Sequence, residues 1–179
     1  MVVKAPYSSM ALADVIHQEA AALVEAGAGY VQIDEPAVSV RPDEIDLAIR
    51  AMARVTAGLR ARTITHICYG DFPAIYPRLL DLPVDQFTLE LSNSDLGLLD
   101  LFKTAPFTKE LGAGVLDVHR HTIEPVEVVK ERIAAALSVV PASRLYVNPD
   151  CGLKTRTPDE ARAKIQNMVA ATHEVRQSL

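Results

Sequence analysis

Short apolar runs alternate along the chain with longer segments in which apolar residues recur every three or four positions. The short runs combine β-branched and aromatic residues, which is typical of buried strands. The longer segments have the periodicity of amphipathic helices. The pattern predicts five strands, at residues 30–34, 63–69, 86–91, 114–119 and 145–148.

Four longer helices are predicted around these strands. The first has five apolar residues on one face and glycines that can end it: Leu12, Val15, Ile16, Leu23 and Val24, then Gly27 and Gly29. The second opens at Pro42 and runs to Gly58, and the third begins near Pro125. The last opens with residues 157–160 (Thr-Pro-Asp-Glu), a capping box with proline in the first turn. Two short helices are expected around the third strand, within residues 73–104.

This alternation of strands and helices predicts a parallel sheet with right-handed crossovers. Such a sheet is either open and doubly wound or closed into a (β/α)8 barrel. No Gly-x-Gly-x-x-Gly or Walker loop follows any predicted strand, which removes the commonest reasons to prefer the open sheet. A complete barrel has eight strands in about 250 residues. The pattern in this chain supplies five.

Composition narrows the class of protein. The 179 residues are 49% hydrophobic and 23% charged, with a net charge of −5 and no basic stripe, so we expect neither disorder nor a nucleic-acid partner. The chain has no apolar run long enough for a membrane span, and its start lacks the pattern of a signal peptide. Two cysteines cannot form a disulfide framework. We expect a cytoplasmic protein without a membrane partner, with one domain over residues 1–179.

Groups that bind metals or transfer protons collect where the predicted strands end. His66 and Cys68 are two positions apart on one strand, so their side chains point to the same side. Active sites of parallel α/β folds are built at the carboxyl edge of the sheet. The candidates at this edge are Asp34, Glu35, His66, Cys68, Glu90, Asp117, His119 and Cys151.

Four of these residues have the ligand types that zinc prefers. Zinc takes four ligands from Cys, His and carboxylate, and that number is supplied by His66, Cys68, Glu90 and Cys151. Each of them alone also has a structural interpretation, because a lone buried cysteine is commonly a small hydrophobe. Their position at strand ends favours a zinc site, and spacing alone takes the argument no further.

Five segments of the sequence carry a resemblance to a known family. They are Gln32-Ile-Asp-Glu-Pro-Ala37, His66-Ile-Cys-Tyr-Gly-Asp-Phe72, Glu90-Leu-Ser-Asn-Ser-Asp95, Gly114-Val-Leu-Asp-Val-His119 and Val147-Asn-Pro-Asp-Cys-Gly-Leu-Lys-Thr-Arg156. In this order they resemble the C-terminal catalytic barrel of the cobalamin-independent methionine synthases. The similarity extends from about residue 8 to the end of the chain.

The resemblance implies a fold, a metal and an activity. The fold is a (β/α)8 barrel of the TIM type, of which this chain supplies about the last five strand–helix units. The activity is transfer of a methyl group from 5-methyltetrahydrofolate, or a polyglutamate form of it, to the thiol of homocysteine, giving methionine. The metal is a catalytic Zn²⁺ with four ligands, namely His66, Cys68, Glu90 and Cys151.

The resemblance also implies roles for residues that do not bind the metal. Asp34 receives the amino group of homocysteine, and we assign Glu35 beside it to the same substrate site. His119 acts in proton transfer during methyl transfer. To these we add Asp117 from its position alone, as a carboxylate that orients or charge-balances the imidazole of His119.

The sequence departs from the family pattern in ways that leave alternatives open. Asn93 stands where the family's Ser-Arg-Ser segment has Arg, and the chain has no Trp that could stack on a folate. A methylcorrinoid donor or another thiol acceptor, such as coenzyme M, is the alternative within the same superfamily. A second alternative is a non-catalytic half barrel that needs a partner chain for the remaining strands, because five strands alone would expose sheet edges and an apolar lining.

Overall fold

A computed structural model describes residues 6–179, with side chains described from residue 9 onwards. The chain divides into two compact units, the first ending at Gln86 and the second spanning Phe87–Leu179. Strands and helices alternate throughout. The five strands lie in one sheet in chain order, β1-β2-β3-β4-β5.

The first unit holds two strands and the helices that follow them. Its elements are α1 (Pro6–Glu25), β1 (Tyr30–Gln32), a 3₁₀ turn (Pro42–Glu44), α2 (Ile45–Thr56), β2 (Arg62–Ile67), α3 (Phe72–Ile75) and a second 3₁₀ turn (Arg78–Asp81). Strands β1 and β2 are parallel, with Val31 opposite Thr63. Two hydrogen bonds continue this pairing beyond β1, and the second joins the Glu35 N–H to the His66 carbonyl at 3.1 Å. The loop after β1 therefore lies beside the end of β2.

The second unit holds the remaining strands. Its elements are β3 (Gln86–Glu90, which begins at the last residue of the first unit), α4 (Leu98–Thr104), β4 (Glu110–Gly114), α5 (Val126–Leu137), a 3₁₀ turn (Ala142–Arg144), β5 (Leu145–Asn148) and α6 (Pro158–Gln177). Strands β4 and β5 are parallel, with Leu111 opposite Leu145. In the core of this unit the Phe87 and Phe107 rings pack edge to face at 6.0 Å.

Most of the predicted elements are confirmed. The proline at 42 opens the 3₁₀ turn that leads into α2, and β5 has the predicted bounds. Short helices α3 and α4 flank β3 as expected. The capping box of α6 is formed in full, because the Thr157 side chain accepts the Glu160 N–H and the Glu160 carboxylate accepts the Thr157 N–H.

The position predicted for the fourth strand, 114–119, is wrong. Strand β4 spans Glu110–Gly114, and residues 115–119 form the loop that follows it. The pattern misled because Val115, Leu116 and Val118 have higher β-propensity than the Leu-Gly-Ala-Gly run of the true strand. All five residues of β4 are buried, so the strand shows no polar–apolar alternation. His119 and Asp117 accordingly lie in a loop and not on a strand.

The amphipathic face predicted for α1 is also wrong. Leu12, Val15 and Leu23 are exposed, whereas the buried positions of this helix include the small residues Ala13 and Ala20. Small side chains allow α1 to approach its neighbours closely, and its contacts are mainly with α2. Among residues 6–179, no helix is both long and apolar enough to cross a membrane.

Candidate metal centre

The end of β2 places an imidazole and a thiol side by side. Along β2 the residues Thr63, Thr65 and Ile67 are buried, and His66 shares the alternate, half-buried face with Cys68 just beyond the strand. A ring nitrogen of His66 and Sγ of Cys68 lie within 4.8 Å of each other. The Cys68 thiol is not in a disulfide. This pair can contribute two ligands to one metal ion.

The backbone around Cys68 is fixed by the loop that follows β1. The buried Ser39 hydroxyl donates to the Cys68 carbonyl at 3.2 Å, and the Asp71 N–H donates to the Ser39 carbonyl at 2.9 Å. Between them, Tyr69 has a φ of 56° and Gly70 a φ of 95°. A Cβ at position 70 would overlap the Ser39 backbone, so this close approach requires glycine. Sequence reasoning missed Ser39, because a lone serine in a loop carries no signal.

The two acidic residues predicted to bind substrate have different surroundings. The exposed Asp34 carboxylate accepts a hydrogen bond from the Gln32 amide at 2.8 Å. The Glu35 carboxylate accepts the backbone N–H groups of Ala37 at 3.0 Å and Val38 at 2.7 Å. Glu35 thus shapes the loop after β1, and Asp34 presents its carboxylate to solvent.

In the second unit, one of the other two predicted ligands ends β3 and the other follows β5. Glu90 is the last residue of β3 and is 4% exposed. Its carboxylate accepts a hydrogen bond from the Asn93 side-chain amide at 3.3 Å, which orients it. Cys151 is half-buried, lies three residues beyond the end of β5 and is also free of any disulfide.

Asp150 connects the loops that carry Glu90 and Cys151. Its side chain is fully buried and accepts hydrogen bonds from the backbone N–H groups of Leu91, Ser92 and Asn93 and from the Ser92 hydroxyl. Burial raises the pKa of the Asp150 carboxyl to about 6, and the hydrogen bonds from Ser92 and Asn93 oppose that rise. Sequence reasoning quoted this residue within a motif but gave it no role.

The loop after β4 carries the two residues predicted to handle protons. The buried Asp117 carboxylate accepts the backbone N–H of His119 at 2.8 Å and pairs with Arg120 at 3.2 Å. Asp117 therefore holds the turn that presents His119. Both residues lie in the loop after β4, and not on the shared strand that the sequence predicted.

A buried lysine supports this loop from α6. The Lys164 ammonium is fully buried and donates to the carbonyls of Asp117 at 3.0 Å and Thr122 at 2.5 Å. It also pairs with the Glu124 carboxylate at 2.7 Å, and Glu124 accepts the Asp117 N–H at 2.8 Å. The network satisfies both buried charges, which is the condition for burying an ion pair. Sequence periodicity placed Lys164 in a helix and gave no sign of this contact.

The donor types present fit a borderline metal ion. Imidazole nitrogen and thiolate sulfur select zinc over calcium or magnesium, which take oxygen ligands. The His66–Cys68 pair meets this requirement in the first unit, and the second unit offers the thiol of Cys151 and the carboxylate of Glu90, a ligand that zinc also takes. Together with the alternating strands and helices, these features define an α/β protein with side chains at its strand ends of the types that bind metals.

Comparison with known proteins gives the family. The family described as "Cobalamin-independent synthase, Catalytic domain" matches residues 3–174, and the chain belongs to this family. The family resemblance and the fold class predicted from the sequence are thereby confirmed.

Individual relatives agree with this assignment. Methionine synthase of Saccharolobus solfataricus is 40% identical over 168 residues, covering 94% of this chain and 51% of that protein. The 5-methyltetrahydropteroyltriglutamate–homocysteine methyltransferase of Mycolicibacterium paratuberculosis is 40% identical over 171 residues, covering 90% of this chain and 23% of that protein. The chain thus spans about half the length of the Saccharolobus relative.

A solved structure gives the same result for the fold. The B12-independent methionine synthase from Shewanella sp. W3-18-1, in complex with selenomethionine, superposes with a TM-score of 0.90 at 29% identity. The match covers 99% of this chain and 57% of that structure.

Proposed function

We propose that this chain carries the catalytic zinc site of an enzyme that transfers a methyl group to the thiol of homocysteine, giving methionine. The observation that carries the proposal is the His66–Cys68 pair, whose ligand atoms lie within 4.8 Å at a strand end. Membership of the cobalamin-independent synthase family supports it. The Shewanella relative holds selenomethionine, the selenium analogue of the proposed product, which is consistent with that chemistry.

In this proposal Glu90 and Cys151 complete the ligand set begun by His66 and Cys68. Two thiolates, one carboxylate and a neutral imidazole around Zn²⁺ give a formal charge of −1. Such a centre is a poor source of hydroxide, unlike sites built from neutral ligands. When bound, the zinc ion provides a position at which a substrate thiol is held as a nucleophilic thiolate.

Asp34 is the proposed partner of the homocysteine ammonium group. Its carboxylate is exposed two residues beyond the end of β1 and accepts a hydrogen bond from the Gln32 amide. A carboxylate paired with an ammonium selects an amino-acid thiol over a sulfonate thiol such as coenzyme M. Glu35 contributes to the same substrate site by fixing the loop through the N–H groups of Ala37 and Val38.

His119 is the proposed proton donor. Loss of a methyl group from methyltetrahydrofolate leaves an amine that needs a proton, and an imidazole titrates in the physiological range. Asp117 acts on His119 through the backbone hydrogen bond that fixes the turn. We take methyltetrahydrofolate or its polyglutamate form as donor because the Mycolicibacterium relative is named for that reaction. A methylcorrinoid donor is the alternative outcome of the assay.

We expect turnover to require further strands and helices, such as those that the relatives have outside the part matched by this chain. The chain covers 51% of the Saccharolobus methionine synthase, and a (β/α)8 barrel is complete only with eight strands. We place the enzyme in the cytoplasm, where a reducing environment keeps Cys68 and Cys151 as free thiols.

The test is the zinc content of the purified chain and of its ligand variants after dialysis against a weak chelator. We expect a zinc-to-chain ratio near one, and a fall by at least tenfold in zinc affinity for His66→Ala, because one direct ligand is lost. His173→Ala is the matched control, since His173 is an exposed histidine of α6. Zinc retention in both Cys68→Ser and His66→Ala would refute the ligand assignment.

Methyl transfer is then assayed with the chain alone and with the remaining part of the Saccharolobus relative added. With the remaining part added, we expect methionine to form from homocysteine and methyltetrahydrofolate. We expect the His66→Ala variant to form none. Tight complex formation without thiol alkylation by any donor would instead support the non-catalytic half barrel.

A further inference from the structure

Asp150 lies in the loop after β5 and binds the loop after β3. A proposed zinc ligand adjoins each end of this contact, Glu90 before the β3 loop residues and Cys151 after Asp150. One carboxylate oxygen, Oδ1, accepts the N–H groups of Leu91 and Ser92, each at 3.1 Å. The other, Oδ2, accepts the Ser92 hydroxyl at 2.5 Å and the Asn93 N–H at 2.8 Å. All four donors follow Glu90 directly in the chain, and Asp150 directly precedes Cys151.

The rest of the surroundings confine this carboxylate to one position. The Asp150 N–H donates to the Leu116 carbonyl at 3.0 Å, which anchors its backbone to the loop after β4. Gly114 ends β4 beneath the Asp150 side chain, and a Cβ there would overlap the carboxylate and the Leu89 carbonyl. The side chain is 0% exposed, so water does not compete for its hydrogen bonds.

We propose that Asp150 is a positioning residue that holds Glu90 and Cys151 at the separation a shared metal ion requires. This rests on the proposed function, which assigns both residues as ligands. The physical reason is that these residues are neighbours in the chain. Glu90 directly precedes residues 91–93, whose N–H groups the carboxylate binds, and Cys151 directly follows Asp150. Partners that orient metal ligands are worth about 10- to 100-fold in metal affinity.

Removing the carboxylate leaves the N–H groups of Leu91 and Asn93 and the Ser92 hydroxyl without this acceptor, whereas the Ser92 N–H keeps its second acceptor, the Gly114 carbonyl at 3.1 Å. Unpaired buried donors are costly, so the loop after β3 moves to reach water or other acceptors. Such a movement shifts Glu90 and Cys151 apart while leaving the His66–Cys68 pair in the other unit unchanged. A specific defect in the contribution of Cys151 to metal binding is therefore expected.

The experiment uses Co²⁺ alone as probe of the 179-residue chain, because thiolate ligation of Co²⁺ gives a charge-transfer absorption whose intensity counts bound thiolates. Asp150→Ala is expected to lower Co²⁺ affinity by about 10- to 100-fold and to reduce the thiolate absorption at saturation toward that of Cys151→Ser. Asp150→Asn keeps one acceptor oxygen for Leu91 and Ser92, and an intermediate affinity is expected. Asp100→Ala, which removes an exposed carboxylate in α4, is the matched control.

A second variant tests the geometry without changing the chemistry of residue 150. Gly114→Ala displaces the Asp150 carboxylate through steric overlap, and the same loss of affinity and absorption is expected. Thermal unfolding of each variant shows whether it is folded at the temperature of the titration. If Asp150→Ala does not fold, the Co²⁺ titration is made with Asp150→Asn, which preserves the side-chain volume.

The outcomes separate this inference from the proposed function. Full two-thiolate absorption and unchanged affinity in a folded Asp150→Asn and Gly114→Ala would overturn the positioning role and leave the zinc site standing. Absence of Co²⁺ and zinc binding by the unsubstituted chain would overturn both. Loss of one thiolate signal in the Asp150 variants, with the Asp100→Ala control unchanged, supports the inference.

Discussion

Asp34 is the single residue on which the choice of thiol acceptor depends in the proposed function. An exposed carboxylate at the end of β1 gains a charge-assisted hydrogen bond from an ammonium group, worth about 1.5–3 kcal/mol. Asp34→Asn should therefore raise the Kd of the zinc-loaded chain for homocysteine by about 10- to 100-fold. Titration calorimetry measures it.

The control ligand for Asp34 is 4-mercaptobutanoate, which keeps the carboxylate and thiol of homocysteine and lacks its ammonium group. Its Kd should be the same for the unsubstituted chain and for Asp34→Asn. Asp159→Asn, at a fully solvated position in α6, should change neither Kd. An equal loss for both thiols in Asp34→Asn would remove the ammonium contact from the proposal.

For single residues, the sequence indicates that His66 and Cys68 lie together, and it says little about the residues that support them. His66 and Cys68 were predicted as neighbours because a spacing of two on a strand puts side chains on one face, and the structure agrees. Asp150, Ser39 and Lys164 were missed, because each acts on a backbone segment that is distant in sequence. Nothing in residue type or spacing reveals which backbone N–H a buried carboxylate will reach.

Helix α6 contributes the buried Lys164, which holds the loop that carries His119. Replacing Lys164 with Met removes the nearer of two cations from the buried Glu124 and leaves Arg132, whose guanidinium lies 3.6 Å away. Removal of one partner of a buried pair costs about 3–5 kcal/mol, and Arg132 offsets part of this, so the free energy of unfolding in urea should fall by about 3 kcal/mol. Adding Glu124→Gln should recover part of the loss, because it removes the carboxylate whose charge is no longer fully compensated.

Lys130→Met is the matched control for Lys164→Met. Lys130 pairs with Glu174 at 2.6 Å on the surface, where a salt bridge is worth about 0–1 kcal/mol. An equal effect of the two lysine substitutions would show that burial of the Lys164–Glu124 pair has no energetic consequence.

Helices and strands were predictable where local chemistry sets their ends. The capping box of α6 and the proline before α2 act within one turn, so sequence suffices to place them. Strand β4 was misplaced because the packing of Gly114 against Asp150, a contact between distant segments, selects small residues over β-formers. The buried face of α1 was wrongly predicted for a related reason, since close packing buries its alanines and leaves Leu12 and Val15 exposed.

For the molecule as a whole, the proposed zinc site predicts that metal binding stabilises the folded chain. A ligand at 100 times its Kd adds about 2.7 kcal/mol to stability. For a chain of this length that corresponds to a rise in Tm of about 5–10 °C. Calorimetry with zinc and after chelation should show this difference, and His66→Ala should abolish it. A zinc-independent Tm in the unsubstituted chain would contradict the proposed zinc site.

The fold class could be predicted from the alternation of strands and helices together with the segments that resemble the family. The TM-score of 0.90 to the Shewanella enzyme confirms it. The domain assignment of residues 1–179 remains a prediction. Neither the periodicity nor the composition could settle it, since both describe elements and not the boundaries of a folding unit.

The spacing of His66 and Cys68 has a kinetic consequence for the proposed site. Both residues belong to one strand end, so their mutual distance is set by β2 and the residue after it. In the proposed site this pair would form a chelate by itself and would be the first to hold an incoming metal ion. The end of β2 would then be the entry point for metal, and the rate of loading would be a property of two residues.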